Sequence, residues 1–207
     1  MVSHGWGWAA LAVFLLSGCM DPVEPLLSED FEATPAGALP STIRAAVGDW
    51  AVQAAATATS GDQVLFQGSM RLSNTYALAT VDVPADLRAT VDVQVASGTT
   101  EREAGLALRY RSPDETYVFN IDANEGGVRF TRVHEGIRDD IYKDRTTKFY
   151  PNQWYALELH ADGSTFTGFV DGRPVFQVSD PTHADGRVGL WTRADTTARF
   201  DDLVVRP

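Results

Sequence analysis

The stretch that decides the fold runs from Trp154 to Val178 and reads WYALELHADGSTFTGFVDGRPVFQV. Two Asp-Gly pairs, at 162–163 and 171–172, divide it into three short segments rich in aromatic and β-branched residues. In the first segment apolar and polar residues alternate, which is typical of a strand that is buried on one side only. Asp-Gly readily adopts the positive φ angles of tight hairpin turns. The stretch therefore predicts a three-stranded antiparallel meander.

The same alternation recurs through the rest of the chain. Strand signals follow one another about every ten residues from Leu27 onward, and no stretch combines helix caps with an apolar spacing of 3.6 residues. Two central strands are predicted at 105–111 and 117–122, with inward-facing side chains Leu106, Leu108, Tyr110, Tyr117, Phe119 and Ile121. The sequence thus predicts an all-β fold, an antiparallel two-sheet β-sandwich.

The composition of the chain argues against nucleic acid as a partner and against disulfides in the domain. The 207 residues include 28 Asp and Glu against 17 Lys and Arg, which gives a formal net charge of −11. Residues 1–19 contain none of these side chains, so all of the charge falls on the remainder. Because an acidic surface repels phosphate backbones, nucleic acid is not expected as a partner. The single cysteine is Cys19, so the following domain is predicted to fold without disulfides, on its hydrophobic core.

The first nineteen residues have the features of an export signal. An apolar segment from Trp6 to Leu16 has the length of a signal-peptide core and is too short to span a bilayer as a helix. It leads into Leu16-Ser-Gly-Cys19, which resembles the lipobox of bacterial lipoproteins. The resemblance implies cleavage before Cys19 and acylation of that residue, which would anchor the protein to a membrane. We therefore expect a signal peptide at 1–18, a lipidated cysteine and tether at 19–27, and one domain at 28–207.

That anchor implies a location in the cell envelope. The residue after the cysteine is Met20 rather than Asp, which favours the outer membrane in the common type of Gram-negative lipoprotein. The membrane is therefore predicted as a partner through the lipid anchor alone, since an acidic domain gains nothing from anionic lipid.

The order of several short motifs resembles a known superfamily. These motifs are Leu27–Glu32, Trp50–Val52, Gly105–Arg111 with Tyr117–Asp122, Asn152–Tyr155, Phe169–Arg173, Gly186–Trp191 and Phe200–Val204. Their sequence and spacing are similar to those of concanavalin A-like lectins and glucanases, especially the laminin-G-like and 3-keto-disaccharide hydrolase-type jelly rolls. The resemblance covers nearly the whole domain and implies a concanavalin A-like jelly roll. It specifies the fold far better than the function, because this superfamily includes glycan-binding modules, glycosidases, lyases and structural domains.

Strand alternation predicts a polar face that could bind a sugar. An exposed indole stacks on the C–H face of a pyranose, while arginine and carboxamide groups form directional hydrogen bonds with hydroxyls. The clustered arginines would also favour an acidic glycan. The residues expected on this face are Arg109, Arg111, Asn120, Asp122, Arg129, Trp191 and Arg193. Two alternatives stay open: Trp191 is a core residue in a bulged or reversed strand, or the arginines pair with Asp122 and Glu158 in a salt-bridged outer face.

Two alternatives to a non-catalytic carbohydrate-binding module remain open. The first is a glycan-active hydrolase or lyase, which would place two carboxylates in the groove, for instance Asp122 with Glu158. The chain lacks the acidic strand motif of glucanases of this fold, and Glu101-Arg-Glu103 is expected to be solvated surface charge. The second alternative is a structural envelope lipoprotein that binds another protein through a flat apolar patch.

Acidic residues near the two ends of the domain suggest a metal site. The first and last strands neighbour each other in a jelly roll, so Asp30, Glu32 and Asp202 could meet at the rim. Carboxylate oxygens suit Ca²⁺. A structural Ca²⁺ is the one cofactor that the sequence suggests, and no cofactor is predicted to be required.

Lipidation can be tested directly at the predicted acceptor. We expect the full chain, expressed in a bacterium fed radiolabelled palmitate, to incorporate label and to sediment with membranes. Cys19→Ser should abolish both, because no other thiol can accept the lipid. Equal labelling of the two proteins would show that the lipobox interpretation is wrong.

Overall fold

A computed structural model describes residues 23–207, which form two packed antiparallel sheets. No helix occurs among these residues, and none of them provides a helix long and apolar enough to cross a membrane. Cys19 and the predicted signal segment lie outside the described residues. The strands are β1 (Leu27–Glu29), β2 (Ile43–Val47), β3 (Trp50–Ala54), β4 (Gln63–Gln67), β5 (Thr75–Ala79), β6 (Leu87–Ser97), β7 (Glu103–Ser112), β8 (Glu115–Asp122), β9 (Val128–His134), β10 (Ile137–Lys143), β11 (Trp154–Asp162), β12 (Thr165–Val170), β13 (Arg173–Ser179), β14 (Arg187–Thr192) and β15 (Thr197–Arg206).

The predicted two-sheet sandwich is confirmed. Sheet 1 has the strand order β13-β12-β11-β6-β15-β4-β3, with β1 paired to β15. Sheet 2 has the order β10-β9-β8-β7-β14-β5-β2. The meander predicted from residues 154–178 corresponds to β11, β12 and β13, and both of its turns contain a glycine at positive φ, Gly163 and Gly172.

The inner faces of the two sheets meet in an aromatic core. Tyr117 and Phe130 of sheet 2 stack on each other with ring centroids 5.4 Å apart. Phe166 of sheet 1 packs against both, at 4.7 and 4.9 Å. Burial of such large side chains supplies most of the favourable free energy of folding. The inward orientation predicted for Tyr117, Phe119 and Ile121 is confirmed.

A β-bulge in β7 makes the side-chain orientations of this strand differ from the predicted alternation. Arg109 has a φ of 48°, and the pairing of β7 with β8 shifts between Leu108 and Ser112. The bulge reverses the alternation, so Tyr110 does not join the inner core with Leu106 and Leu108. It packs instead in a second apolar cluster on the outer side of sheet 2.

The aromatic core can be probed within one strand. Phe166→Ala should lower the free energy of unfolding by about 3–5 kcal/mol, because it removes a fully buried ring. Phe169, three residues later, is half-buried and packs against His160 at the surface of sheet 1. Phe169→Ala should therefore cost clearly less, by denaturant unfolding. Similar losses for the two variants would contradict this account of the core.

Candidate functional site

The outer face of sheet 2 curves into a polar cleft. In a flat sheet, four strand spacings of about 4.8 Å would separate β10 from β14. The Arg138 guanidinium of β10 nevertheless lies 5.3 Å from the ring centroid of Trp191 in β14, so the sheet bends and both side chains lean inward. The resulting space, of about 410 Å³, is here called the Arg129 cleft. It is lined by Glu101, Glu125, Arg129, Arg138, Asp139, Asp140, Lys143, Arg145 and Arg193.

A glycine lets the middle strands of sheet 2 approach each other closely. Gly105 of β7 lies opposite Asn120 of β8 on one side and Trp191 of β14 on the other. A Cβ atom at Gly105 would collide with the carbonyl oxygen of Phe119. Glycine is therefore required where the neighbouring backbones approach closely.

Arg129 organises the buried charges at the base of the cleft. Its Nη1 contacts a carboxylate oxygen of Glu103, and its Nη2 lies 2.7 Å from Asp122 Oδ2. Both carboxylates are fully buried, and Arg129 is only 4% exposed. Burial disfavours the charged guanidinium, but the charges of Glu103 and Asp122 outweigh it and raise the pKa of Arg129. Asn120 adds an N–H bond to the second oxygen of Glu103.

Arg193 extends this network toward solvent. Its Nη1 lies 2.8 Å from Glu103 and its Nη2 lies 3.2 Å from Glu101. Partial burial, together with the negative charge of Glu103, raises the pKa of the Glu101 carboxyl. Glu103 thus accepts hydrogen bonds from two arginines and one carboxamide, while Glu101 borders the open part of the cleft.

Asp195 holds the loop that carries Glu101. Its carboxylate accepts hydrogen bonds from the backbone N–H groups of Thr99, Thr100 and Glu101, and from the hydroxyl of Thr99. These bonds hold the pKa of Asp195 well below its usual range, with the Thr99 hydroxyl as the largest cause. The β6–β7 loop is consequently fixed against the β14–β15 loop.

The second apolar cluster lies under Arg138, one of the residues that line the cleft. Trp191 packs with Tyr76 and Tyr110 on the outer face, and Arg138 covers its ring. Burial raises the pKa of Tyr76 to about 12 and lowers that of Arg138, where the nearby Arg193 acts in the same direction. The Arg138–Trp191 contact has the geometry of a cation–π interaction.

Buried polar side-chain atoms without a partner concentrate on the outer side of sheet 2. Within residues 23–207, seven buried side-chain polar atoms have no hydrogen-bond partner in the protein. Five of the seven belong to the outer face of sheet 2, whereas most buried polar groups in proteins are paired. These five are Tyr76 OH, Asn120 Oδ1, Arg129 Nε, Arg138 Nη1 and Trp191 Nε1.

The structure brings together four of the seven residues predicted to bind a ligand. Asn120, Asp122, Arg129 and Arg193 meet in the network at the base of the cleft. Trp191 lies on the predicted outer face, but the prediction that it is exposed is wrong. It is 0% exposed, because the curvature of sheet 2 brings Arg138 over its ring.

Arg109 and Arg111 do not belong to the cleft, which corrects their predicted role. The bulge turns Arg109 toward the end of the sandwich, where its guanidinium donates to the carbonyl oxygens of His183, Ala85 and Gly163. It also lies over the ring of Phe166 at 4.8 Å. Arg111 is exposed and forms a 2.7 Å ion pair with Asp185.

Two groups of cleft residues were missed by the sequence interpretation. Glu101 and Glu103 were expected to be surface charge, yet Glu103 is fully buried at the centre of the network. The one signal in the sequence was that Glu101 and Glu103 are two residues apart, which would place both on the same face of a strand. Arg138, Asp140 and Lys143 come from β10, an exposed edge strand whose pattern gives no sign that it faces a groove.

The predicted pair of catalytic carboxylates does not form. Glu158 lies in β11 of sheet 1, where it contacts His160 at 2.5 Å. Asp122 lies on the outer face of sheet 2, bonded to Arg129. The two carboxylates therefore belong to different sheets.

The acidic residues proposed for Ca²⁺ are engaged separately. Glu32 accepts hydrogen bonds from the backbone N–H groups of Asp62 and Gln63, and Asp30 accepts one from Glu32. Asp202 accepts a bond from the Ser60 hydroxyl. Asp30, Glu32 and Asp202 do not form a group with their oxygens within ligand distance of one another. A rim Ca²⁺ stays a prediction from the sequence.

The two-sheet topology and curved outer face define a concanavalin A-like jelly roll. Residues 45–206 match the family model of the 3-keto-alpha-glucoside-1,2-lyase-like domain. The chain belongs to this family. The resemblance inferred from the order of its motifs is thereby confirmed.

A curated relative is similar to the chain in sequence, and solved structures are similar to it in fold. Over 117 residues the chain is 30% identical to a levanase of Bacillus subtilis (strain 168), a match that spans 54% of this chain and 16% of the levanase. Among solved structures it is similar to the carbohydrate-binding module CBM66 from Bacillus subtilis, at 21% identity and a TM-score of 0.69, covering 84% of this chain and all of the module. It is also similar to the GH43 protein BlXynB from Bacillus licheniformis, at 12% identity and a TM-score of 0.65, covering 86% of this chain and 39% of that protein.

The buried network makes a prediction about stability. Arg129→Ala should lower the free energy of unfolding by about 3–5 kcal/mol, because it leaves Asp122 buried without a cation and Glu103 with Arg193 alone. Arg129→Met combined with Glu103→Gln and Asp122→Asn should recover most of this loss. Arg111→Ala, which breaks an exposed ion pair, should cost about 0–1 kcal/mol. If urea unfolding gives the same loss of free energy for Arg129→Ala and Arg111→Ala, the network does not contribute what a buried set of ion pairs should.

Proposed function

We propose that this protein is a lipid-anchored envelope protein whose jelly-roll domain binds a carbohydrate in the Arg129 cleft. The observation that carries the proposal is the set of charged side chains that lines one curved face, five cations among four carboxylates. The cations donate hydrogen bonds and the carboxylates accept them. A sugar presents hydroxyl groups that donate and accept at similar spacing, so it can satisfy both kinds of atom.

The charges of the cleft favour a neutral, hydroxyl-rich sugar over an acidic one. Its lining contains five cationic side chains and four carboxylates, so the charges nearly cancel. Arg129 and Arg193 already face Glu103. Alternating guanidinium and carboxylate groups form directional hydrogen bonds with neighbouring hydroxyls, and these bonds are stronger than those between neutral groups. The charges of the cleft therefore support a neutral glycan better than the acidic glycan that the arginines alone suggested.

The fold relatives support the same class of ligand. CBM66 is a carbohydrate-binding module, and the chain covers all of it at low identity. The levanase, of which the chain matches only a small part, is named for an activity on levan. Levan is thus the first polysaccharide to test, with xylan and a uronate polymer beside it.

Binding can be measured with a matched pair of arginine variants. We expect the full chain carrying Cys19→Ser to bind at least one polysaccharide of this panel in affinity electrophoresis or calorimetry. Arg193→Ala should weaken binding about tenfold or more, because a charge-assisted hydrogen bond contributes about 1.5–3 kcal/mol. Arg111→Ala removes an ion-paired arginine outside the cleft and should leave binding unchanged.

Three outcomes would count against this proposal. Absence of binding to neutral and acidic glycans, by a protein that unfolds cooperatively, would remove the carbohydrate as ligand. Equal weakening by both arginine substitutions would move the site away from the cleft. Stronger binding of the uronate polymer than of neutral glycans would contradict the neutral preference.

A second candidate function is cleavage of a glycoside in the same cleft. The family is named for a lyase-like domain, and Glu101, whose carboxyl group can transfer a proton, borders the cleft beside Arg193. On this proposal the chain would release sugar products from a bound glycan, and Glu101→Gln would stop release while retaining binding. Product analysis by chromatography after prolonged incubation distinguishes the two functions.

A further inference from the structure

Three metal-ligating side chains meet at the end of the sandwich, away from the Arg129 cleft. Glu115 is the first residue of β8 and His134 is the last residue of β9, so the antiparallel pairing of these strands places them side by side. His183 comes from the loop between β13 and β14. One ligand atom from each residue lies within 4.8 Å of the other two.

His183 is held in the orientation of a metal ligand. The residue is 1% exposed, and its ring packs edge-on against Tyr117 at 4.9 Å. Its Nε2 lies 2.8 Å from the carbonyl oxygen of Val133, which can only accept, so Nε2 carries a proton. The neutral ring then presents the lone pair of Nδ1 toward the other two residues. Metal-ligating histidines typically donate their second N–H to a carbonyl or carboxylate in this way.

Glu115 is positioned to share one oxygen with both imidazoles. Its Oε1 accepts the backbone N–H of Glu135 at 2.9 Å. Its Oε2 lies 3.0 Å from Nδ1 of His134 and 3.4 Å from Nδ1 of His183. The lone pair of the neutral His183 ring therefore faces a carboxylate oxygen, and two acceptors in this arrangement require a cation or an added proton between them.

The spacing fits a tetrahedral zinc ion. Zn²⁺ with bonds of about 2.0–2.1 Å to nitrogen and oxygen places its ligand atoms about 3.3 Å apart. The two distances from Glu115 Oε2 bracket this value. His134 is half-exposed, so a fourth position is open to solvent. Ca²⁺ does not fit, because it takes six to eight oxygen ligands.

We propose that Glu115, His134 and His183 form a zinc-binding site at the rim of the sandwich. The ion would join the start of β8 and the end of β9 to the β13–β14 loop. That loop also supplies the His183 carbonyl to which Arg109 donates. Zinc therefore stabilises the end of the sandwich at the point where the bulged strand β7 closes the core. This site is independent of carbohydrate binding.

The experiment uses the full chain carrying Cys19→Ser, so that no thiol competes for metal. After treatment with EDTA and its removal, titration calorimetry with ZnCl₂ should give one bound equivalent, and CaCl₂ should give none. His134→Ala and Glu115→Gln should each weaken zinc binding about tenfold or more, since each removes one of three ligands. His160→Ala is the matched control, because His160 also contacts a glutamate, Glu158, on another sheet.

A second measurement separates loss of binding from loss of folding. Saturating ZnCl₂ should raise the Tm of the parent chain and of His160→Ala but not that of His134→Ala, because only a metal bound to the folded state stabilises it. The half-exposed His134 can be replaced without opening the core. Absence of zinc binding to the parent chain overturns the proposal. Equal binding by His134→Ala, or an equal Tm increase in it, also overturns it.

Discussion

The ion pairs of Arg129 with Glu103 and Asp122 are the interaction on which the outer face of sheet 2 depends. Three charged groups lie below the surface of a jelly roll on the side away from its main core. An unpaired buried charge costs several kcal/mol, so Glu103 and Asp122 both depend on Arg129, while Arg193 supplies Glu103 with a second cation. The pairing fixes β9 and β8 to β7 through side chains as well as backbone, and it sets the base against which any ligand in the cleft would rest.

Strand positions and most side-chain orientations could be predicted because they follow from a simple alternation. The meander at 154–178, the inner residues of β8 and the outer placement of Asn120, Asp122 and Arg129 all follow from a period of two. The bulge at Arg109 could not be predicted, because one extra residue in a strand leaves no distinctive composition. It removed both Arg109 and Tyr110 from their expected faces.

Burial of the site residues was harder to predict than their orientation. Trp191 was assigned to the correct face, but alternation along one strand says nothing about the curvature that brings Arg138 over its ring. Glu103 was misjudged for a related reason. Its partners are Arg129 and Arg193, which lie 26 and 90 residues away, and Asp195 fixes the loop in front of it. Contacts between residues so far apart in the sequence form only in the tertiary structure and leave no local pattern to predict them from.

The cleft also differs from the protein around it in its electrostatics. The chain has a net charge of −11, whereas the lining of the cleft has one more cation than carboxylate. A nearly neutral cleft in an acidic domain does not attract anions strongly. Its fixed donors and acceptors are oriented before a ligand arrives, because the ion pairs already hold the guanidinium and carboxylate groups in place. Recognition on this face would therefore depend on the geometry of hydroxyl groups rather than on the charge of the ligand.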